Sequence, residues 1–347
     1  MRARVDPDNF DAYPSYNDWL DERHTSEYGN LDISGFKPRP SYVLHQLSFD
    51  TYEAGLADYL SEREEELKET VVSEFPTPIA YYYYRFENGY ENELQRLYFL
   101  RDTWESIVDV IHALSVSECR YRKIQLSEPI RFQDLLSDSV DQRLLNIERI
   151  IAQAKAANTK LEIEAIVDVG VLPEIRELNR TRNAFSHSAA QSEKQAREWI
   201  GECYEEMIDV LTKIVGLAEI RVARYLGHSD AKTFRCEIFK GQSLTRTIQS
   251  ISISQEQARG AAACFNKERL CVAYDNFLFG LQPLLHLKED NAGHSTRVLA
   301  FRRARGDAPN RTLEFEIIGE ASRTSLSRTE FRAELNELRI LFGLEEE

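Results

Sequence analysis

The chain has 347 residues, 42% of them apolar, and a formal charge of −15 from 58 acidic and 43 basic side chains. That length exceeds one average domain and suits two buried cores, and the apolar fraction excludes a disordered chain. The sign of the charge excludes a general nucleic-acid coat, whose affinity comes from neutralising phosphates, so any contact with nucleic acid must be local.

Five scattered cysteines, none spaced as CxxC, and seven dispersed histidines predict reduced thiols and no protein-built metal site. No cofactor motif is visible. The opening MRARVDPDNFDAYPSYNDW lacks an apolar signal core, and no run of 18 apolar residues occurs, so a cytoplasmic chain with no membrane contact is expected.

In chain order, residues 1 to about 45 are polar, tyrosine-rich and broken by Pro and Gly, which predicts a poorly regular arm or a partner-binding segment. Tyr52, Leu56, Tyr59 and Leu60, followed by the charged run SEREEELK, predict one helix with a narrow apolar stripe, ended by Pro76 and Pro78. Asn92 and Gln95 resemble a capping box ahead of a long apolar face made by Leu97, Leu100, Trp104, Ile107, Val108, Ile111 and Leu114. A second helix is predicted over 140–156 on Leu144, Ile147, Ile150 and Ile151, and a third opens at Pro173 and passes through Ile175 and Leu178. Ser192 and Gln195 cap a fourth, carrying Trp199, Cys203, Met207, Leu211, Ile214 and Leu217. Four amphipathic helices with modest connections describe a bundle.

Beyond about Ala223 the texture changes to short β-branched and aromatic runs over 233–239, 245–253, 270–274, 296–301 and 312–318. These predict a small antiparallel sheet or barrel, OB-like or related, closed by a helix over 327–341 on Phe331, Leu335, Leu338 and Leu341. The expected class is therefore α+β. The expected parts are an N-terminal arm and helix (1–75), a helical bundle (76–224) and a β-rich, barrel-like C-terminal domain (225–347).

The third helix runs straight into LNRTRNAFSH, residues 178–187. His187 has an ordinary pKa near neutrality and can take or give a proton, while the Arg182 guanidinium is a fork suited to phosphate oxygens. Five positions separate them, about 140° on an ideal helix, so they converge only if the helix ends between them. Asn183 can orient the imidazole or a phosphate oxygen, and Arg180 and Ser186 can hold substrate. RNA brings its own nucleophile in the 2′-hydroxyl. A general base, a general acid and a cation at the phosphorane then suffice to cut it without a metal. One histidine per chain is thin for two proton transfers; two copies of the motif facing each other in a homodimer would supply both. A plainer reading stays open, in which these cations complement the dipole at a polar helix end.

Arg182-Asn183-Ala184-Phe185-Ser186-His187 resembles the RNxxxH form of the Rx4-6H motif of HEPN-domain ribonucleases. Arg180 also satisfies the spacing; Arg182 is taken as the motif arginine. The resemblance covers the bundle, Pro76 to about Arg224, including a lead-in FPTPIAYYYYRFENGYENELQRLYFLRDTWESIV that looks like the entry to such domains in bacterial defence proteins. It implies metal-independent RNA cleavage to a 2′,3′-cyclic phosphate, homodimerisation through the bundle, and a role as a toxin or abortive-infection effector whose C-terminal domain takes a trigger or regulator. The alternative is a noncatalytic HEPN-like module that dimerises or binds, with the β-rich domain as a sensor.

Other residues carry two readings each. Tyr81–Tyr84 beside Arg85 suits base stacking but suits a core–surface boundary better. His112 reads as a core histidine. Glu105 and Asp109 could hold His187 or be solvated acids. Arg302, Arg303 and Arg305 read as a solvated hairpin end rather than an RNA or ligand contact, and the apolar run at 277–287 as a buried strand or hairpin rather than a partner-facing patch.

Overall fold

The computed structural model describes residues 9–186, 192–230, 233–245, 247–252, 254, 264–274, 277–289, 295–305 and 312–343, with 182–186 as helical backbone only. The chain divides into two compact units, 1–68 and 69–347.

In the first unit, helices α1 (Pro14–Tyr28) and α2 (Pro40–Leu47) precede α3 (Phe49–Glu74), which continues into the second unit. The expectation of an irregular arm is corrected here. What orders it is an aromatic cluster rather than an aliphatic stripe: Tyr16, Tyr52, Leu56 and Tyr59 are buried against Phe10, Tyr13, Trp19 and Leu44. Buried phenols need partners. The Tyr52 hydroxyl donates to Asn17 Oδ1 at 2.6 Å, and the Tyr16 hydroxyl donates to the Tyr52 carbonyl at 3.1 Å.

In the second unit the helices are α4 (Thr77–Asn88), α5 (Glu93–Tyr121), the four-residue α6 (Phe132–Leu135), α7 (Val140–Ala156), the four-residue α8 (Ile163–Ile166), α9 (Val171–Ser186), α10 (Glu193–Lys213) and α11 (Arg332–Phe342). Pro78 falls in the first turn of α4, where its missing N–H costs nothing, so it starts that helix rather than merely ending the previous one. The Asn92 side chain accepts from the Gln95 N–H at 2.9 Å, and Ser192 with Gln195 forms a complete capping box. Helix α5 is the axle: it packs on α4, α7 and α10 and also meets β5, β7 and α11. Its predicted apolar face is buried, and so is every residue from Ser106 to Cys119, polar ones included.

The strands form two open antiparallel sheets. One has the order β3-β2-β1-β4-β5, from β1 (Arg221–His228), β2 (Thr233–Ile238), β3 (Thr247–Ser252), β4 (Leu270–Tyr274) and β5 (Phe277–Gly280). The other is the meander β6-β7-β8-β9, from β6 (Leu285–Glu289), β7 (Thr296–Arg305), β8 (Thr312–Ile317) and β9 (Arg323–Ser327). The class is thus α+β with antiparallel pairing; among the described residues edges remain at β3, β5, β6 and β9, and the strands form two sheets rather than one closed barrel. Helices and sheets share the second compact unit, and residue 224 lies inside β1, not between bodies. The physical reason is α5, whose back is covered by strands.

Ile107, fully buried on α5, reports on this core. Ile107→Ala should cost about 2–5 kcal/mol in urea unfolding, whereas Leu47→Ala, at a position 82% exposed, should change stability by no more than about 0.5 kcal/mol.

Candidate functional site

Two places carry chemistry, both in the second unit. The first is the far end of α9. Its N-terminal turns are fixed by buried Val171, Leu172, Ile175 and Leu178, and by ion pairs from Glu174 to Lys213 of α10 and from Arg176 to Glu148 of α7 at 3.1 Å. Helical backbone continues through Arg182 and Asn183 to Ser186, and α10 begins at Glu193 behind its Ser192 cap, with α9 and α10 packed against each other. His187 lies outside the described residues, as do the side chains of Arg182, Asn183 and Ser186. Arg180 is described: it is 68% exposed and pairs with Glu177, one turn back, at 2.6 Å. Asn179, one residue earlier, is buried, and its Oδ1 has no hydrogen-bond partner among the described residues.

The second place is a charged cavity of about 260 Å³ between the N-terminal half of α5 and the strands β7–β9. Arg101, Asp102 and Glu105 come from α5, Arg302 and Arg303 from β7, Glu316 from β8 and Arg323 from β9, while Asp138 lies just before α7. Beneath it, Asp109 of α5 is clasped by two guanidiniums. Arg143 Nη1 of α7 donates to Asp109 Oδ1, and Arg302 Nη1 donates to Oδ2 at 2.6 Å. Arg143 also donates to the carbonyls of Phe301 (3.2 Å), Arg302 (3.1 Å) and Ser137 (3.0 Å). Arg302 Nε donates to Glu316 Oε2 at 2.7 Å, and the Tyr82 hydroxyl of α4 donates to Glu316 Oε1.

These contacts set the electrostatics. Burial would raise the Glu316 carboxyl, but Arg302 and Tyr82 bring it below the ordinary value. Burial would weaken the charge on Arg302, but Asp109, Glu316 and Glu105 outweigh it, so the guanidinium is held charged more firmly than usual. Burial, then Glu316, raises the Tyr82 phenol. Asp102 is pushed up to about 6 by burial, against the pull of Arg101. His112 is pushed down to about 3 by burial and by Arg143, so it stays neutral at physiological pH, with Nε2 unpartnered among the described residues.

Several readings change accordingly. Arg302 is not at a solvated hairpin end: the run lies inside β7, Arg302 is buried, and Arg303 and Arg305 pair with Glu314. Asp109 is not solvated either, and its partners are Arg143 and Arg302. Tyr82 and Tyr83 are core residues, and only the outer Tyr81 and Tyr84 are half-buried. The cavity residues Arg101, Asp102, Glu316 and Arg323, and Arg143 of the clasp, carried no signal in the sequence; only the acids at 105 and 109, one helical turn apart, hinted at them.

No group of His, Cys, Asp and Glu suited to a metal ion occurs among the described residues, and no described helix is long and apolar enough to cross a membrane. No protein-family model, curated protein or solved structure matches the chain.

Removing Asp109 strands two buried guanidiniums. Asp109→Ala should destabilise by about 3–5 kcal/mol in urea unfolding. Asp138→Ala, at an exposed position with no ion pair among the described residues, should stay within about 0.5 kcal/mol. A pH effect follows from Asp102. A carboxyl whose folded value, about 6, lies above its free value of 3.8 contributes stability that is present below pH 4 and lost as pH rises through 6. Parent minus Asp102→Asn unfolding free energy should therefore fall between pH 4.5 and 7. His112 titrates alike in both proteins, and the lowered Glu316 acts below that window. A difference that is flat or climbs with pH would show that Asp102 is not held protonated by burial.

Proposed function

We propose that the chain is a metal-independent endoribonuclease of the HEPN type, acting as a homodimer. The observation that carries the reading is the set Arg182, Asn183 and His187 in the sequence, at the end of α9 and in the connection to α10. The order of the elements supports it, because the set falls between the buried turns of α9 and the capped start of α10. Position 182 lies four residues beyond buried Leu178 and seven beyond buried Ile175, whereas Arg180 follows Glu177 on the exposed side and is already paired. This favours Arg182 as the phosphate-facing arginine and leaves Arg180, with Ser186, to contact the RNA strand.

In the proposed reaction the ribose 2′-oxygen attacks the adjacent phosphorus. One His187 accepts the 2′-hydroxyl proton. Arg182 stabilises the charge on the phosphorane oxygens. The bond from phosphorus to the 5′-oxygen breaks as the His187 of a second copy protonates that oxygen, leaving a 2′,3′-cyclic phosphate and a 5′-hydroxyl. Asn183 orients the imidazole. A toxin or anti-phage effector fits such an activity, with the β-rich portion taking the trigger or regulator that releases it.

Purified protein incubated with total RNA in EDTA should yield cyclic-phosphate ends. His187→Ala and Arg182→Ala should each lower the rate by about 10²–10⁴, the usual worth of positioned proton transfer or oxyanion stabilisation, and Arg180→Ala should lower it far less. Equal cleavage by parent and His187→Ala would sink the assignment. RNA binding without cleavage by the parent would favour the noncatalytic module.

A further inference from the structure

The cavity between α5 and β7–β9 is not used by the reading above, and its hydrogen-bond valences do not balance. We propose that it binds an oxyanion of the phosphate class, presented as free phosphate or as a phosphomonoester.

The argument is one of unspent donors. A guanidinium carries five N–H bonds, and a carboxylate accepts without donating. Arg101 spends Nε and Nη2 on a single oxygen, Asp102 Oδ1, at 2.9 and 2.5 Å, which leaves Nη1. Arg302, 92% buried, spends Nε on Glu316 and Nη1 on Asp109, and its Nη2 has no partner among the described residues. Arg303 reaches Glu314 through Nη2 at 3.5 Å, while its buried Nε is unpartnered among the described residues. Arg323 commits Nη1 to Glu314 at 2.9 Å.

The strong acceptors beneath the cavity are consumed. Glu316 is shared by Tyr82 and Arg302, and Asp109 by Arg143 and Arg302. What the β7 side of the cavity offers is N–H donors of Arg302 and Arg303 without acceptors among the described residues, in planar forks that suit phosphate. Its volume, about 260 Å³, far exceeds the roughly 30 Å³ share of one water, so it admits a phosphoryl group and more. The opposing charge comes from Asp102 and Glu105 on α5 and from Asp138, and of these Asp138 is exposed at the rim with no hydrogen-bond partner among the described residues. That residue sets the direction of the test.

Calorimetric titration of the full chain carrying Arg182→Ala and His187→Ala keeps any phosphate bound at the α9 tip out of the signal, so this proposal and the ribonuclease reading fail separately. Inorganic phosphate should bind with a heat absent from sodium chloride of equal ionic strength. Arg303→Gln and Arg323→Gln should each weaken binding roughly ten-fold, the worth of one charge-assisted hydrogen bond. Asp138→Asn should tighten it, which no merely structural role for Asp138 would produce. Ribose 5-phosphate or adenosine monophosphate binding at least ten times tighter than phosphate identifies a phosphomonoester; equal or weaker binding identifies the free ion. No heat beyond that of chloride, affinity unchanged in Arg303→Gln and Arg323→Gln, or weaker binding in Asp138→Asn would each overturn the proposal, the last by marking a cation site instead.

Discussion

One carboxylate holds the second unit in register. Asp109 sits at the middle of α5 with Arg143 of α7 on one oxygen and Arg302 of β7 on the other, so a single side chain ties two helices to a strand nearly two hundred residues away. Such a clasp contributes little net stability, because desolvating three charges costs about what their attraction returns. Its value is specificity. Any slip of α5 against β7 would leave a charge buried without its counterpart, a loss far larger than a slip between two apolar surfaces. Arg143 adds to this by donating to the carbonyls of Phe301 and Arg302, where the register of β7 against β8 shifts between Phe301 and Arg303. The same guanidinium thus satisfies backbone groups that an irregular strand leaves over.

The clasp explains a helix that amphipathic reasoning alone would misplace. An amphipathic helix normally turns its polar side to water. Along α5 the polar side is instead covered: Ser106, Asp109, His112, Ser115, Ser117 and Glu118 are all buried. They survive burial by several routes. Ser115 returns its hydroxyl to the Ile111 carbonyl, and Glu118 accepts the backbone N–H groups of Glu162 and Ile163 and the side chain of Arg122. Where the covering strands diverge from the N-terminal half of α5, the polar side opens into the charged cavity.

How much of this could be read from residues alone depended on the range of the interaction. Helices α5, α7 and α10 were legible because their apolar spacing and caps are local, and Ser192 with Gln195 marks its helix start as written. The early helices α1 and α2 were not, since an aromatic cluster assembled with α3 replaces any internal period. Strand β5 and the start of β6 fall within the apolar run at 277–287, whose lack of alternation left it readable only as a buried strand or hairpin, whereas β1 and β9 were missed, β9 being a polar edge strand, RTSLS, without a fully buried residue. The Arg302 run was read as solvated because its acids, Asp109 and Glu316, come from another part of the chain, and local charge density cannot reveal that pairing. The α9 motif is the reverse case: the sequence names its chemistry more completely than the described side chains do.

The charge distribution bears on how an acidic chain could handle RNA. The clasp and the cavity together hold arginines at 101, 143, 302, 303, 305 and 323 against acids at 102, 105, 109, 138, 314 and 316, a set that cancels. The surplus that makes the chain −15 therefore lies elsewhere, and six of its 43 basic side chains are gathered around the clasp and the cavity. Beyond about a Debye length, roughly 8–10 Å at physiological salt, a polyanion feels little of this net charge, and within that distance only a local cation offsets the repulsion. On the ribonuclease reading the α9 tip offers Arg182 and His187 for that purpose, while Arg180 is already shared with Glu177. Two or three cations grip one or two phosphates, not a long strand. Symmetry doubles the number, which makes a second copy as necessary for holding RNA as for completing the proton transfers. It also gives the trigger expected at the β-rich portion a definite task, to bring two tips together against the repulsion of two acidic bodies.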